Sequence, residues 1–161
     1  MASNGYLIIS GERQGLISAG CNTEPSMGAR CQLAHQDEIT LLDFSQGIIN
    51  TENSLRATHQ PVSFTKLIDK ASPLLGQAMD SQEVLDCVFH FYRTHPAGHQ
   101  EKYFTIKLEG AVLVELDMVV PHAVLLSDQD AVERVSLRYR TISWLHHAGG
   151  TSAHASWEPL S

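Results

Sequence analysis

Residues 101–109 read Glu101-Lys102-Tyr103-Phe104-Thr105-Ile106-Lys107-Leu108-Glu109. Phe104, Ile106 and Leu108 alternate with Tyr103, Thr105, Lys107 and Glu109. A strand with one buried face has this period, because successive side chains point to opposite faces. Downstream, Val112, Val114, Leu116, Met118 and Val120 continue the alternation, so they are expected on one face. Gly110 separates the two runs and predicts a bend or bulge in a long strand pair. Upstream, Leu85, Cys87, Phe89 and Phe91 form another alternating face. Val135, Leu137 and Tyr139 begin a further strand, and its phase switches to Ile142 and Trp144. That switch predicts a β-bulge near Arg140 or Thr141. Weaker strands are read at Tyr6 to Ser10, Ile39 to Ser45 and Val62 to Asp69. Pro96-Ala97-Gly98 and Ser127-Asp128 are turn signals between strands.

One helix interrupts this pattern. Ser72 has the chemistry of an N-cap, and Pro73 suits the first helical position, where a missing N–H costs nothing. Leu74, Leu75, Ala78 and Met79 supply a short apolar stripe. Many short strands with one short helix predict a mainly β protein: a compact β-barrel of two sheets with one flanking α-helix. The reading is of a single domain over residues 1–161. It carries two long polar segments, Gly20 to Asp37 and Gln46 to Gln60, and a possibly loose tail over 148–161. Long segments without periodicity inside a compact domain are usually functional or mobile.

Composition narrows the classes. At 161 residues the chain suffices for one domain with a real core, and 43% hydrophobic with 18% charged residues is ordinary for a globular protein. The formal net charge of −7 argues against a general nucleic-acid binder, which needs clustered positive charge to displace counterions. No apolar run approaches the roughly 20 residues of a membrane-spanning helix. The N-terminus MASNGYLIISGERQ lacks a basic region and a long apolar stretch, so no Sec-type signal is expected. Cys21, Cys31 and Cys87 are odd in number and lack C-x-x-C spacing, which fits reduced thiols.

Candidate chemistry is sparse. His90, His95 and His99 form one sequence cluster, and His146, His147 and His154 another. Neither offers a convincing set of three or four converging ligands, so no metal or other cofactor is expected. Gly15 to Gly20 reads GLISAG, in which the serine is misplaced for a nucleophile elbow. Cys87 and His90 are three apart on one strand and point to opposite faces, so they do not form a thiol–imidazole pair. The expectation is that the protein is not an enzyme.

A resemblance covers nearly the whole chain. Ser63-Phe64-Thr65-Lys66, Ile68-Asp69-Lys70 and Ala71-Ser72-Pro73 look like the signature SFTK-x-IDK-x-[ST]P of the Hcp family, the tube proteins of bacterial type VI secretion. His35-Gln36-Asp37-Glu38-Ile39 followed by Phe44-Ser45-Gln46-Gly47 resembles the family's H-x-[DE]-E-I…[FW]-S-x-G segment. Phe91-Tyr92-Arg93, Tyr103 to Leu108 and Glu133-Arg134-Val135 complete the order.

The resemblance implies hexameric rings that stack into the inner tube of a contractile machine, and a lumen that carries effector proteins. It implies partners in further copies of the chain, in effectors and in sheath and spike components, with no nucleic acid and no membrane insertion. It implies a bacterial cytoplasmic protein later secreted to the extracellular space or target cell without a Sec signal. Ser45 stands at the family position associated with the lumen surface. The Gln46 to Gln60 loop, with Ile48, Asn50, Glu52, Asn53 and Arg56, stands where the family makes ring-stacking contacts, although it is not glycine-rich as in some members. Lys66, Asp69, Lys70, Ser72 and Pro73 carry the motif turn, read as a charged hairpin end that orders the passage from strand to helix. Some members carry a C-terminal toxin domain, for which no room is expected after residue 161. The alternative from another class is a monomeric cytoplasmic β-barrel that binds proteins.

Overall fold

The computed structural model describes residues 3–51 and 55–157. In chain order the elements are β1 (Asn4–Gly11), β2 (Gly15–Leu16), α1 (Glu24–Met27), β3 (Ile39–Ser45), β4 (Ile48–Ile49) and β5 (Thr58–His59). They continue with β6 (Val62–Leu67), α2 (Ser72–Ser81), β7 (Leu85–Thr94), β8 (Gln100–Val119), β9 (Val132–Arg138), β10 (Thr141–His146) and β11 (Thr151–Ser156). Strand β8 closes the barrel. Its first part pairs with β7 and its last part with β9, while β7, β1, β3, β6 and β9 follow one another as antiparallel neighbours. Closure removes the unpaired edges that an open sheet would present. Strands β10 and β11 extend outward from the first part of β8 as a side sheet. A separate two-stranded ribbon, β4 with β5, completes the two sheets of this mainly β architecture.

The core follows the alternation. Leu7, Ile9, Ile39, Phe64, Cys87 and Phe89 point inward with Ile106, Leu108, Leu113, Val135 and Leu137. Each such side chain contributes about 1.5–3 kcal/mol through burial. Helix α2 lies beside β8 and buries Leu75 and Ala78, with Leu74 and Met79 at the margin.

Two details depart from the sequence expectations. In β8, Glu109 and Gly110 together oppose Asp86, since Leu85 pairs with Ala111 and Cys87 with Leu108. Gly110 takes φ +62, the left-handed conformation that a glycine bulge uses. The bulge reverses the inward phase, so Ala111 and Leu113 are buried, not Val112 and Val114. A second register shift at Val114 restores Leu116 to the core and leaves Met118 and Val120 exposed. The expected bulge near Arg140 or Thr141 is instead a break. Arg138 pairs with Val112 on the last part of β8, and Thr141 pairs with Glu109 on the first part. The chain changes neighbours through Tyr139 and Arg140, whose N–H donates to the Glu109 carbonyl at 3.0 Å.

The polar segment after β2 is ordered by one buried side chain. Asn22 donates from Nδ2 to the Glu38 carbonyl at 2.8 Å and to the Thr40 hydroxyl at 2.9 Å. Its Oδ1 accepts from the Gln32 N–H. These bonds hold α1 and the 3₁₀ turns Gly28–Arg30 and Leu33–His35 against β3. All three cysteines are free thiols, with Cys21 and Cys87 buried. Burial pushes the Cys21 thiol up to about 12 and raises Cys87 likewise. Among the described residues no helix is long and apolar enough to cross a membrane.

Candidate functional site

The family-motif turn carries part of its polar set inside: Lys66, Asp69 and Ser72 are buried. Lys66 on β6 is fully buried and is the cross-strand partner of Glu133 on β9. Its ammonium has three hydrogens and three acceptors: the Glu133 carboxylate, Asp69 Oδ1 at 2.9 Å and the Ser72 hydroxyl at 3.2 Å. The Ser72 hydroxyl is equally saturated. It donates to Glu133 Oε2 at 2.8 Å and accepts from Lys66 and from the Asp69 N–H. Ser72 is therefore not the N-cap of α2. Ala71 stands at that position, and Asp69 Oδ1 accepts the Ala71 N–H at 2.9 Å. Burial holds the Asp69 carboxyl above its usual range, and the Lys66 charge opposes that shift. Pro73 occupies the exposed first turn of α2, and Lys70 lies on the surface with its N–H on the Ser26 hydroxyl.

A second buried carboxylate closes the neighbouring corner. Glu83 accepts the N–H groups of Arg13 and Gln14 at 3.1 and 3.0 Å and the Gln14 amide at 3.2 Å. Those donors, led by Gln14, hold its carboxyl below the usual range. Gly11 leaves room for it, because a Cβ there would stand 1.9 Å from Glu83 Oε2.

Ser45 is exposed on the outer face of the barrel, paired across strands with Ser63. The Ser63 and Ser136 hydroxyls share a hydrogen bond of 2.9 Å. Asp43, Thr65, Glu115 and Arg134 complete a shallow depression around these hydroxyls. Glu115 shares a hydrogen bond with the Asp117 carboxyl, which raises its pKa, and the Asp117 charge adds to the rise. The surface is polar, small-featured and without a nucleophile–base pair.

The Gln46–Gln60 segment is not structureless. Ile48 pairs with His59 and Ile49 with Thr58 in the β4–β5 ribbon, and the Gln60 N–H donates to the Gly47 carbonyl. Trp144 Nε1 donates to Gln46 Oε1 at 3.2 Å, and His59 Nδ1 lies 2.6 Å from the Tyr139 hydroxyl. Trp157 packs edge-on against Tyr139. Ile48, Ile49 and Leu55 face solvent from the ribbon, and Asn50 and Arg56 are exposed. Glu52 and Asn53 lie outside the described residues.

The histidines group by space and not by sequence. His90 Nδ1 and His147 Nε2 both meet the buried Thr105 hydroxyl, at 3.0 and 2.7 Å. Burial and the charges of Lys102, His147, Lys107 and His35 lower His90 to about 4. His95 and His99 stack on each other at 4.5 Å. Among the described residues no three His, Cys, Asp or Glu side chains converge as a metal site would require. Glu83 and Asn22 were not singled out by sequence, and Glu133 and Thr105 were read only as strand positions. A carboxylate in phase with the apolar Val135 and Leu137, as at Glu133, was the available signal.

Comparison with known proteins agrees with this architecture. Residues 6–146 match the family described as "Type VI secretion system effector, Hcp". The "Major exported protein" of Pseudomonas aeruginosa is 37% identical over 98% of this chain and 96% of its own. A solved structure described as "Crystal structure of Hcp protein" is 34% identical, with TM-score 0.91 over 99% of this chain and 100% of that one. "Secreted protein Hcp3 from Pseudomonas aeruginosa" is 38% identical, with TM-score 0.87 over 98% of this chain and 100% of that one.

Proposed function

The chain belongs to the Hcp family of type VI secretion proteins, and from that premise we propose that it is a ring-forming subunit of the secretion tube. Six copies close head to tail into a ring, rings stack, and the lumen holds effector proteins in transit. The observation that carries this reading is the near-complete correspondence of fold with Hcp structures at TM-scores of 0.91 and 0.87. Two local features support it. Ser45, Ser63 and Ser136 form a wall of short hydroxyls suited to many weak contacts with a folded guest. The β4–β5 ribbon stands out from the barrel with apolar side chains in solvent, as an inter-ring contact would require. The partners are further copies of the chain, effectors, and sheath and spike components, and the route is from cytoplasm to exterior.

Solution mass with negative-stain electron microscopy tests the assembly. A six-fold ring with an open lumen is expected, and a monomer across a broad concentration range overturns it. Shortening the ribbon between Ile49 and Thr58 tests stacking. The Gln46 and His59 anchors remain, so the ring should persist while secretion is lost.

A further inference from the structure

The proposal concerns a surface that the tube reading leaves unassigned. Met118, Val120, Val124 and Leu125, at the β8–β9 turn, each expose 60–78% of their surface. This is an apolar patch, yet it is not a loose loop. The Val124 and Leu125 N–H groups donate to His122 Nδ1 at 3.2 and 3.1 Å. The Leu126 N–H donates to the His122 carbonyl, and an Arg30–Asp130 ion pair fastens the far side of the turn. Holding four apolar side chains in water on an ordered backbone is unfavourable unless something covers them.

The register says where this patch lies. Val62, at the ribbon end of β6, pairs with Leu137, and Leu67, at the other end, pairs with Val132, where β9 leaves the turn. The ribbon side chains Ile48, Ile49 and Leu55 therefore project from one end of β6, and the turn projects from the opposite end. The ends of β6 are about 17 Å apart at the rise of an extended strand. Two different apolar patches at opposite ends of one strand are what a head-to-tail assembly needs, because a heterologous interface joins unlike surfaces of identical copies. A symmetric face-to-face pair would need only one of them.

We propose that the Met118–Leu125 turn is the receiving surface for the exposed Ile48, Ile49 and Leu55 side chains of a second copy in the adjacent ring. This rests on the ring-stacking reading above and adds its counter-surface.

Disulfide trapping in bacteria with an active secretion system tests it. In a Cys31→Ser background, Leu55→Cys and Leu125→Cys are expressed as separate chains in the same cell, and the cells are treated with diamide, which takes up the two electrons and two protons released when the thiols join. Cys21 and Cys87 are buried and silent. The expected product is a disulfide joining the two unlike positions, found by peptide mass spectrometry. Links only between like positions, or none, overturn the proposal. Leu125→Glu supplies an independent arm. Rings should persist by mass, with tube length and secretion reduced at least about tenfold, as for a charge buried in an apolar contact. Normal tubes with Leu125→Glu overturn this inference and leave the ring reading intact. Normal tubes with a depleted effector assign the turn to cargo and overturn it too. Failure of the parent chain to form rings removes the tube reading itself.

Discussion

Lys66 and Glu133 face each other across β6 and β9 inside the barrel, and Asp69 and Ser72 occupy the remaining hydrogens of the ammonium. The cluster joins two strands to the first turn of α2, so it fixes the helix on the barrel wall. Its worth lies in completeness, since a buried ion pair stabilises only when its remaining valences are satisfied.

Lys66→Met should therefore be severely destabilising, by roughly 3–5 kcal/mol, because Asp69 and Glu133 would be left buried without a counter-charge. Adding Glu133→Gln to that variant should recover part of the loss. Urea denaturation of the parent, the two single variants and the double variant measures the coupling.

His90 gives a pH-dependent term. Its folded-state pKa, about 4, lies below the ordinary 6.5, so the unfolded chain binds more protons between those values. Stability from this group is fully present above pH 6.5 and is lost as pH falls toward 4. For a half-exposed ring, screening limits the effect to roughly 1–2 kcal/mol. The groups facing it are Lys102, His147, Lys107 and His35, all of which oppose its protonation. His90→Gln should flatten the difference in denaturation midpoint between pH 7.5 and pH 4.5. An unchanged difference would remove His90 as its source.

Gly11→Ala should lower the melting temperature by roughly 5 °C, since the new methyl would displace the Glu83 carboxylate from its backbone donors. The backbone at Gly11 is not left-handed, so the penalty is one of space. Combining Gly11→Ala with Glu83→Ala should make the two effects markedly non-additive. Simple additivity in calorimetry would refute the clash.

Ser45→Gln should leave the barrel and ring unchanged, within about 0.5 kcal/mol, because Ser45 is exposed on the outer face. On the carrier reading proposed above, a cognate effector should fall in abundance, having lost room on the wall. Thermal melting, ring mass and effector level read together decide this. A stable ring with normal effector levels removes Ser45 from the wall's working residues.

Much of the fold was legible as alternation. Ile106 and Leu108, and Leu85, Cys87 and Phe89, are buried as their period requires, and Phe104 packs at the margin of the core. The phase beyond Gly110 was not legible, because a bulge inserts one residue without altering composition. One skipped pairing turned Val112 and Val114 away from the core and brought in Ala111 and Leu113. The burial of Lys66 was not legible either, because it depends on Glu133, which is distant in sequence and arrives only when β6 meets β9. The histidines show the same limit, since the Thr105 link between His90 and His147 spans β7, β8 and the end of β10.

The closure through β8 bears on how the chain is made. β1 lies between β3 and β7, so at the ribosome it must wait for β7 to emerge before its second edge is covered. β6 is likewise half-paired until β9 is synthesised. Leu7, Ile9 and Phe64 thus spend most of translation without their final neighbours, and contacts so distant in sequence form slowly. The barrel therefore cannot close until β9, which pairs with both β6 and β8, has been made.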